Sequence, residues 1–302
     1  MMIDRNSNVA EYRYNYFTRS STINSKIPTK AMDNESQIQA GEPLTISQAI
    51  ENLHCADLGL RVYAAWWLGK FRVSEPEAIS GLMVALSDEA DRTPEGGYPL
   101  RRNAARALGK LGDVQAVPAL LGCLDCTDFY VREAAAQSLE TLGDIRCIPR
   151  LVEMLTASIE DGKLLAQGQD FSQPYDSILE ALGTLGATEM VGSIEPFLEH
   201  PIPRIEYAAA RAMYQLTQDC SYGDRLVKSL TNSDLQVRRA LLSDLGAIGY
   251  LPAAAAIAQT HAENSLKLIS LKGLLEHQIM ISPSDRLSDG AIQVMQLMDE
   301  LL

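Results

Sequence analysis

The chain has 302 residues, of which 46% are hydrophobic and only 6% aromatic, and it carries a formal net charge of −13 at pH 7. That acidic balance repels phosphate backbones and argues against nucleic-acid binding, and no apolar run approaches the about 18 residues of a membrane span. The first 30 residues lack the apolar centre of a secretion signal, so the five cysteines, an odd number, point to free thiols in a reducing compartment.

Residues 1–43 show no helical period and are rich in Asn, Ser, Thr and Tyr, which predicts a disordered N-terminal extension. Within them Met32 opens a segment that reads as an ordinary start. A basic organelle-targeting sequence is the alternative, and Asp4 and Glu11 weaken it. Thr45 or Ser47 is placed to cap a first helix ending near His54. The next helix carries Tyr63, Trp66 and Trp67. Adjacent residues differ by about 100° around a helix, so the two tryptophans cannot share one buried stripe. At least one ring is expected on a face that contacts a ligand or partner.

The segment Tyr98–Asp113 is the repeating unit. Ala104, Leu108 and Leu111 form one apolar stripe, Gly112 can end the helix in the left-handed conformation, and Asp113 is placed to cap the next. Taking Arg101 as the start, equivalent positions are Arg61, Arg132, Tyr175, Glu206, Arg238 and Lys267, spaced by 40, 31, 43, 31, 32 and 29 residues. The stripe recurs as Ala64, Leu68, Phe71, then Ala135, Leu139, Leu142, and onward to a weaker last copy at Ser270, Leu274, His277. Two helices per period of this length predict an all-α fold, an α-solenoid of about seven HEAT-like repeats forming a single array over 44–302. Insertions near Ser87–Pro99 and Ala157–Pro174, the latter with Glu160, Asp161, Asp170 and Phe171, fall between the helices of a repeat and are expected on one rim. The first stands where it can close over the arginines that follow it. The terminal stripe Ile292, Met295, Met298 and Leu302 would cap the array or meet a partner.

No phosphate loop, nucleophile elbow, dinucleotide fingerprint or paired metal motif is present, so periodicity gives a binding solenoid and no catalytic residue. Cys123 and Cys126 have metal spacing without a second pair, and helix-end packing is the expected role. The second helix of each repeat usually lines the concave side. Its first three copies bring Tyr63, Trp66, Arg101, Arg102, Arg106, Asp128, Tyr130, Arg132 and Glu133 to that face. Arginines there can pair with carboxylates, rings can stack on a flat π-system, and a carboxylate can accept from ring N–H groups. An ordinary solvated face is the competing reading. Later repeats offer mostly Ala and Leu.

The stretches Tyr63–Arg72, Gly97–Asp113, Asp128–Glu140, Gln173–Asp176, Tyr207–Leu216 and Glu263–Leu268 resemble the E-type subunit of the E/F heterodimeric phycobilin lyases, in particular the one acting on the phycocyanin alpha subunit. The double Trp and Tyr98-Pro-Leu-Arg-Arg102 are the specific parts, and the resemblance runs over roughly 44–277. It implies a cytoplasmic cyanobacterial carbon–sulfur lyase, near thylakoid-bound phycobilisomes and active only with an F-type partner. The pair would attach phycocyanobilin, as substrate rather than resident cofactor, through a thioether to a cysteine of the apo-alpha subunit. A bilin has two propionates, four pyrrolic rings and a reactive ethylidene group. The resemblance therefore makes Trp66, Trp67, Tyr98, Arg101, Arg102, Asp128, Tyr130 and Arg132 the candidate bilin-binding residues, with no metal. A non-catalytic HEAT adaptor of phycobilisome assembly or turnover is the alternative. A HEAT metalloenzyme would need repeated His-Glu pairs, and the chain has none.

Overall fold

The computed structural model describes residues 44–165, 172–232, 234–281 and 286–302. The expected disordered extension over 1–43 and the loop residues Asp170 and Phe171 lie outside them. From Leu44 onward the described residues form one compact unit, built of helices laid in two rows. The outer row is α1 (Ile46–Asn52), α3 (Pro76–Ala85), α5 (Val117–Cys123), α7 (Ile148–Thr156), α9 (Val191–Ile194), α11 (Cys220–Asn232), α13 (Ala254–Gln259) and α15 (Asp289–Asp299). The inner row is α2 (Leu58–Lys70), α4 (Pro99–Leu111), α6 (Phe129–Leu142), α8 (Tyr175–Thr184), α10 (Pro203–Thr217), α12 (Leu235–Ile248) and α14 (Asn264–Ile281), each packed on the next. This is the predicted α-solenoid.

The boundaries follow local chemistry. Thr45 and Gln48 make a reciprocal capping box at α1. Asp57, Asp128, Asp234 and Ser288 cap α2, α6, α12 and α15 through their side chains. Asp113 caps the short 3₁₀ turn before α5, and Gly112 ends α4 at φ 77°. The inner row is close because small residues meet at the crossings. A Cβ on Gly69 would stand 2.7 Å from the Ala107 Cα, and one on Gly109 would stand 2.7 Å from the Ser138 Cβ. Ser138 can be buried there because its hydroxyl donates to the Ala105 carbonyl at 2.8 Å.

Between the rows run Leu68, Leu82, Leu108, Leu120, Leu139, Leu151, Leu182 and Leu245, all fully buried. Each contributes about 1.5–3 kcal/mol of burial. Two expectations about the ends are corrected. Phe71, placed on the buried stripe, is 59% exposed, because among the described residues no inner helix precedes α2 to cover that end. The helix α15 does fold back on α13 and α14, but it buries Ala291 and Val294, with Leu297, Met298 and Leu301 partly covered. Ile292, Met295 and Leu302 face outward. The buried stripe is one position out of phase with the expected one.

Both insertions emerge where an outer helix passes to an inner one, on the shared rim. The second begins as a two-stranded hairpin, β1 (Ile159–Glu160) and β2 (Lys163–Leu164), with Ile159 opposite Leu164. Asp161 and Gly162 turn it with positive φ.

Candidate functional site

The rim is held by arginines at the starts of the inner helices. Arg61 pairs with Asp88 at 2.6 Å. The Arg101 guanidinium lies 4.1 Å from the centre of the Tyr98 ring, donates to the Asp88 carbonyl at 2.7 Å and pairs with Glu89. The Tyr98 hydroxyl donates to that same Glu89 at 3.0 Å. Asp91 is buried and accepts from the Leu100 N–H. Asp128 accepts from the Tyr98 N–H at 2.7 Å with one oxygen and from its own helix, at Tyr130 N–H, with the other. Arg132 donates to the carbonyls of Cys126 and Ser172, both at 2.7 Å, and to Gln173 at 3.1 Å.

The geometry corrects one expectation. The 87–98 loop is tied down at Asp88, Glu89, Asp91 and Tyr98 and is a strut, not a lid poised to close. Of the candidate residues, Tyr98, Arg101 and Asp128 spend their polar groups on this strut, and Arg132 spends its own on Cys126 and on Ser172 and Gln173 before α8. Cys123 is buried, and burial raises its thiol to about 12, so it stays protonated and inert. No group of three or more His, Cys, Asp or Glu among the described residues is placed to hold a metal.

The remaining candidates lie along the inner helices. Trp66 is 45% exposed beside Tyr63, their rings 5.5 Å apart, whereas Trp67 packs on Phe71 at 4.7 Å. One tryptophan is thus spare, as the 100° argument requires. Arg102 lies 5.9 Å from the Tyr130 ring centre. Next to it Arg106 has 44% of its side chain exposed and reaches Glu133 at 3.7 Å.

Beyond α6 the inner face is not the Ala and Leu surface expected of it. Arg211 of α10 stands among Glu140 of α6 (2.8 Å), Glu180 of α8 (3.4 Å) and Asp244 of α12 (3.3 Å). Thr184 donates to Glu140 at 2.8 Å, and Arg204 pairs with Asp176 alongside. The arginine is buried at 8% exposure, and its three partners keep 11–16% of their side chains accessible. Burial raises the Glu180 carboxyl to about 8, helped by the charge of Asp244 and opposed by Arg211. Burial likewise raises Asp244. The signal was present in the repeat. Five places after each register start stand Trp66, Arg106, Gln137, Glu180, Arg211, Ser243 and Lys272, a non-aliphatic column that holds two of the four cluster residues, Glu180 and Arg211.

A model of HEAT repeats matches residues 46–140 and 96–167. The chain is 64% identical over 276 residues to phycocyanobilin lyase subunit alpha of Microchaete diplosiphon, covering 90% of this chain and 94% of that protein. It is 65% identical over 274 residues to the same-named protein of Pseudanabaena tenuis, covering 90% of this chain and all of that one. Among solved structures it is similar to one chain in the complex of CpcE and CpcF of phycocyanin lyase from Nostoc sp. PCC7120. There the identity is 57% and the TM-score 0.78, over 90% of this chain and 100% of that one. The chain belongs to the family of phycocyanobilin lyase alpha subunits.

Proposed function

From that membership we propose that the chain is the E-type subunit of a heterodimeric lyase, attaching phycocyanobilin by a thioether to a cysteine of apo-phycocyanin alpha. The observation that carries this is near end-to-end identity with proteins of that name, at 64–65%. The partner is an F-type homologue. The nucleophile is the acceptor's thiol. Catalysis is then chiefly positioning: one conformer of a flexible pigment is held where the thiol can reach its ethylidene carbon, with water kept away.

We place the bilin along the inner-helix face from α2 to α6. Tyr63 and Trp66 supply an exposed aromatic wall, Arg106 with Arg102 supplies charge for propionates, and Tyr130 closes the far side. Tyr98, Arg101, Asp128 and Arg132 serve by holding the starts of α4 and α6 in register. Trp67 packs on Phe71 at the end of α2 instead.

Absorbance titration of phycocyanobilin into the heterodimer, beside melting curves, tests this division. Losing one charge-assisted contact costs about 1.5–3 kcal/mol, so Arg106→Ala should weaken binding roughly ten- to a hundredfold at unchanged melting temperature. Arg101→Ala and Arg132→Ala should lower the melting temperature first. If Trp66→Ala and Arg106→Ala both bind bilin normally, the pigment rests on the partner subunit instead.

A further inference from the structure

The cysteine pair that stands out in the sequence, Cys123 and Cys126, has no part in the pigment face. Both thiols are free, and both line one cavity of about 390 Å³, where the end of α5 meets Arg101 of α4 and Met83 of α3. Three successive i→i+3 hydrogen bonds tighten the chain here, from the N–H groups of Leu124, Asp125 and Cys126 to the carbonyls of Leu121, Gly122 and Cys123. In such 3₁₀ geometry side chains three apart eclipse, so the C-x-x-C spacing sets one thiol over the other.

The two thiols differ in setting. Cys123 is buried, and burial raises it to about 12. Cys126 is half-buried, and its sulfur accepts from the Arg101 guanidinium at 3.9 Å. A partly exposed sulfur facing a cation is placed to attack, whereas a buried protonated one can only follow. The acids at the cavity mouth, Glu89 and Asp125, are taken up by Arg101 and Arg150. The backbone beside Cys126 also carries the rim. The carbonyls of Cys126 and Thr127 accept from Arg132 at 2.7 and 3.2 Å, and Asp128 accepts from the Tyr98 N–H at 2.7 Å. Side chains three apart on an ordinary helical turn stand about 5–6 Å apart at Cβ, and a disulfide needs about 3.8 Å. The eclipsed turn supplies part of the difference. The rest must come from Cys126 moving toward α5, because Cys123 sits in the packed core.

We propose that Cys123 and Cys126 form a reversible dithiol–disulfide couple which, on closing, draws the 126–128 turn away from Arg101 and Arg132 and slackens the 87–98 strut. The oxidant is a small disulfide, RS–SR, admitted by the cavity. The Cys126 sulfur attacks one of its sulfurs, giving Cys126–S–SR and releasing RS⁻. Cys123 then loses its proton as its sulfur attacks that of Cys126, and the second RS⁻ leaves. Two thiols are oxidised by two electrons, one small disulfide is reduced to two thiols, and the two cysteine protons end on them. A dithiol reductant reverses both steps. Closure also slows bilin attachment, a consequence that rests on the lyase reading and on the strut holding α4 and α6 in register.

The test uses the full-length chain with its F-type partner, kept in dithiothreitol or treated with excess glutathione disulfide, then blocked with iodoacetamide. Cleavage after Lys110 and Arg132 isolates a peptide with these two cysteines and no other. After oxidation it should be unalkylated and two hydrogens lighter, and dithiothreitol should restore both thiols. Cys123→Ala should trap glutathione on Cys126, and Cys126→Ala should leave Cys123 unmodified. Strut amides should exchange about tenfold faster in the closed form. Attachment should slow by a similar factor, and Cys126→Ser should be indifferent to glutathione disulfide in both measurements. Two alkylated thiols after oxidation, or a closed disulfide with unchanged strut exchange, would overturn the proposal. Closure that slackens the strut in a pair that attaches no bilin even when reduced would uphold the couple and remove the lyase reading.

Discussion

Replacing Arg211 by methionine removes the cation and little of the packing. Its side chain is only 10% accessible, and it stands 2.8–3.4 Å from three carboxyls that are themselves 11–16% accessible. Breaking a buried ion group from one side costs about 3–5 kcal/mol, because the charges left behind stay unpaired. In a unit of this size that is a fall of roughly 6–20 °C in melting temperature. The cost must also depend on pH, and the sign can be worked out. Glu180 is raised from an ordinary 4.5 to about 8, so the folded state holds a proton that the unfolded state releases. Its contribution to stability is complete below about 4.5 and is lost as pH rises through about 8. Without Arg211 the carboxyls repel one another more strongly as they ionise, so the variant should lose more over that interval than the wild type. Melting curves at pH 5, 7 and 8.5 read this directly, and adding Glu180→Gln and Asp244→Asn to the variant should restore most of the loss at pH 8.5. A destabilisation below about 1 kcal/mol, or one equal at pH 5 and 8.5, would refute the picture of a crowded, proton-sharing cluster.

Asp128→Ala removes an N-cap and the acceptor for the Tyr98 N–H together. It should cost about 2–3 kcal/mol and raise hydrogen exchange over the 87–98 strut and the first turn of α6, with α12–α14 unaffected. Gly69→Val would drive a branched side chain into the Ala107 backbone at 2.7 Å. The expected loss is about 2–3 kcal/mol in chemical denaturation, while the same change at Gly122, where an added Cβ would meet no other part of the protein within 4 Å, should cost no more than ordinary helix propensity.

The repeat was legible because burial in a stacked array forces the same residues to recur: Ala64, Leu68, Ala104, Leu108, Ala135 and Leu139 are all fully buried. Caps were legible for the same local reason, since Thr45, Asp113 and Gly112 act through their immediate neighbours. The roles of the arginines were not. Arg101 and Arg106 look alike in sequence, yet one is consumed by Asp88, Glu89 and Tyr98 and the other keeps 44% of its side chain exposed. That difference is set by a loop whose fold depends on contacts 9 to 30 residues away. The Arg211 cluster escaped notice because its carboxylates stand 31 to 71 positions from the arginine in the chain. Only the stacking of four helices brings them within reach of one guanidinium.

The central claim is that this chain, paired with an F-type subunit, joins phycocyanobilin to phycocyanin alpha. Co-expression of the chain, that partner, apo-phycocyanin alpha and phycocyanobilin, followed by zinc-enhanced fluorescence of the denatured acceptor, measures the covalent bond itself. Fluorescent alpha subunit is expected with both lyase chains present, and little with this chain alone. An acceptor that stays dark with both chains, or one that this chain alone labels at the rate of the pair, would contradict the account.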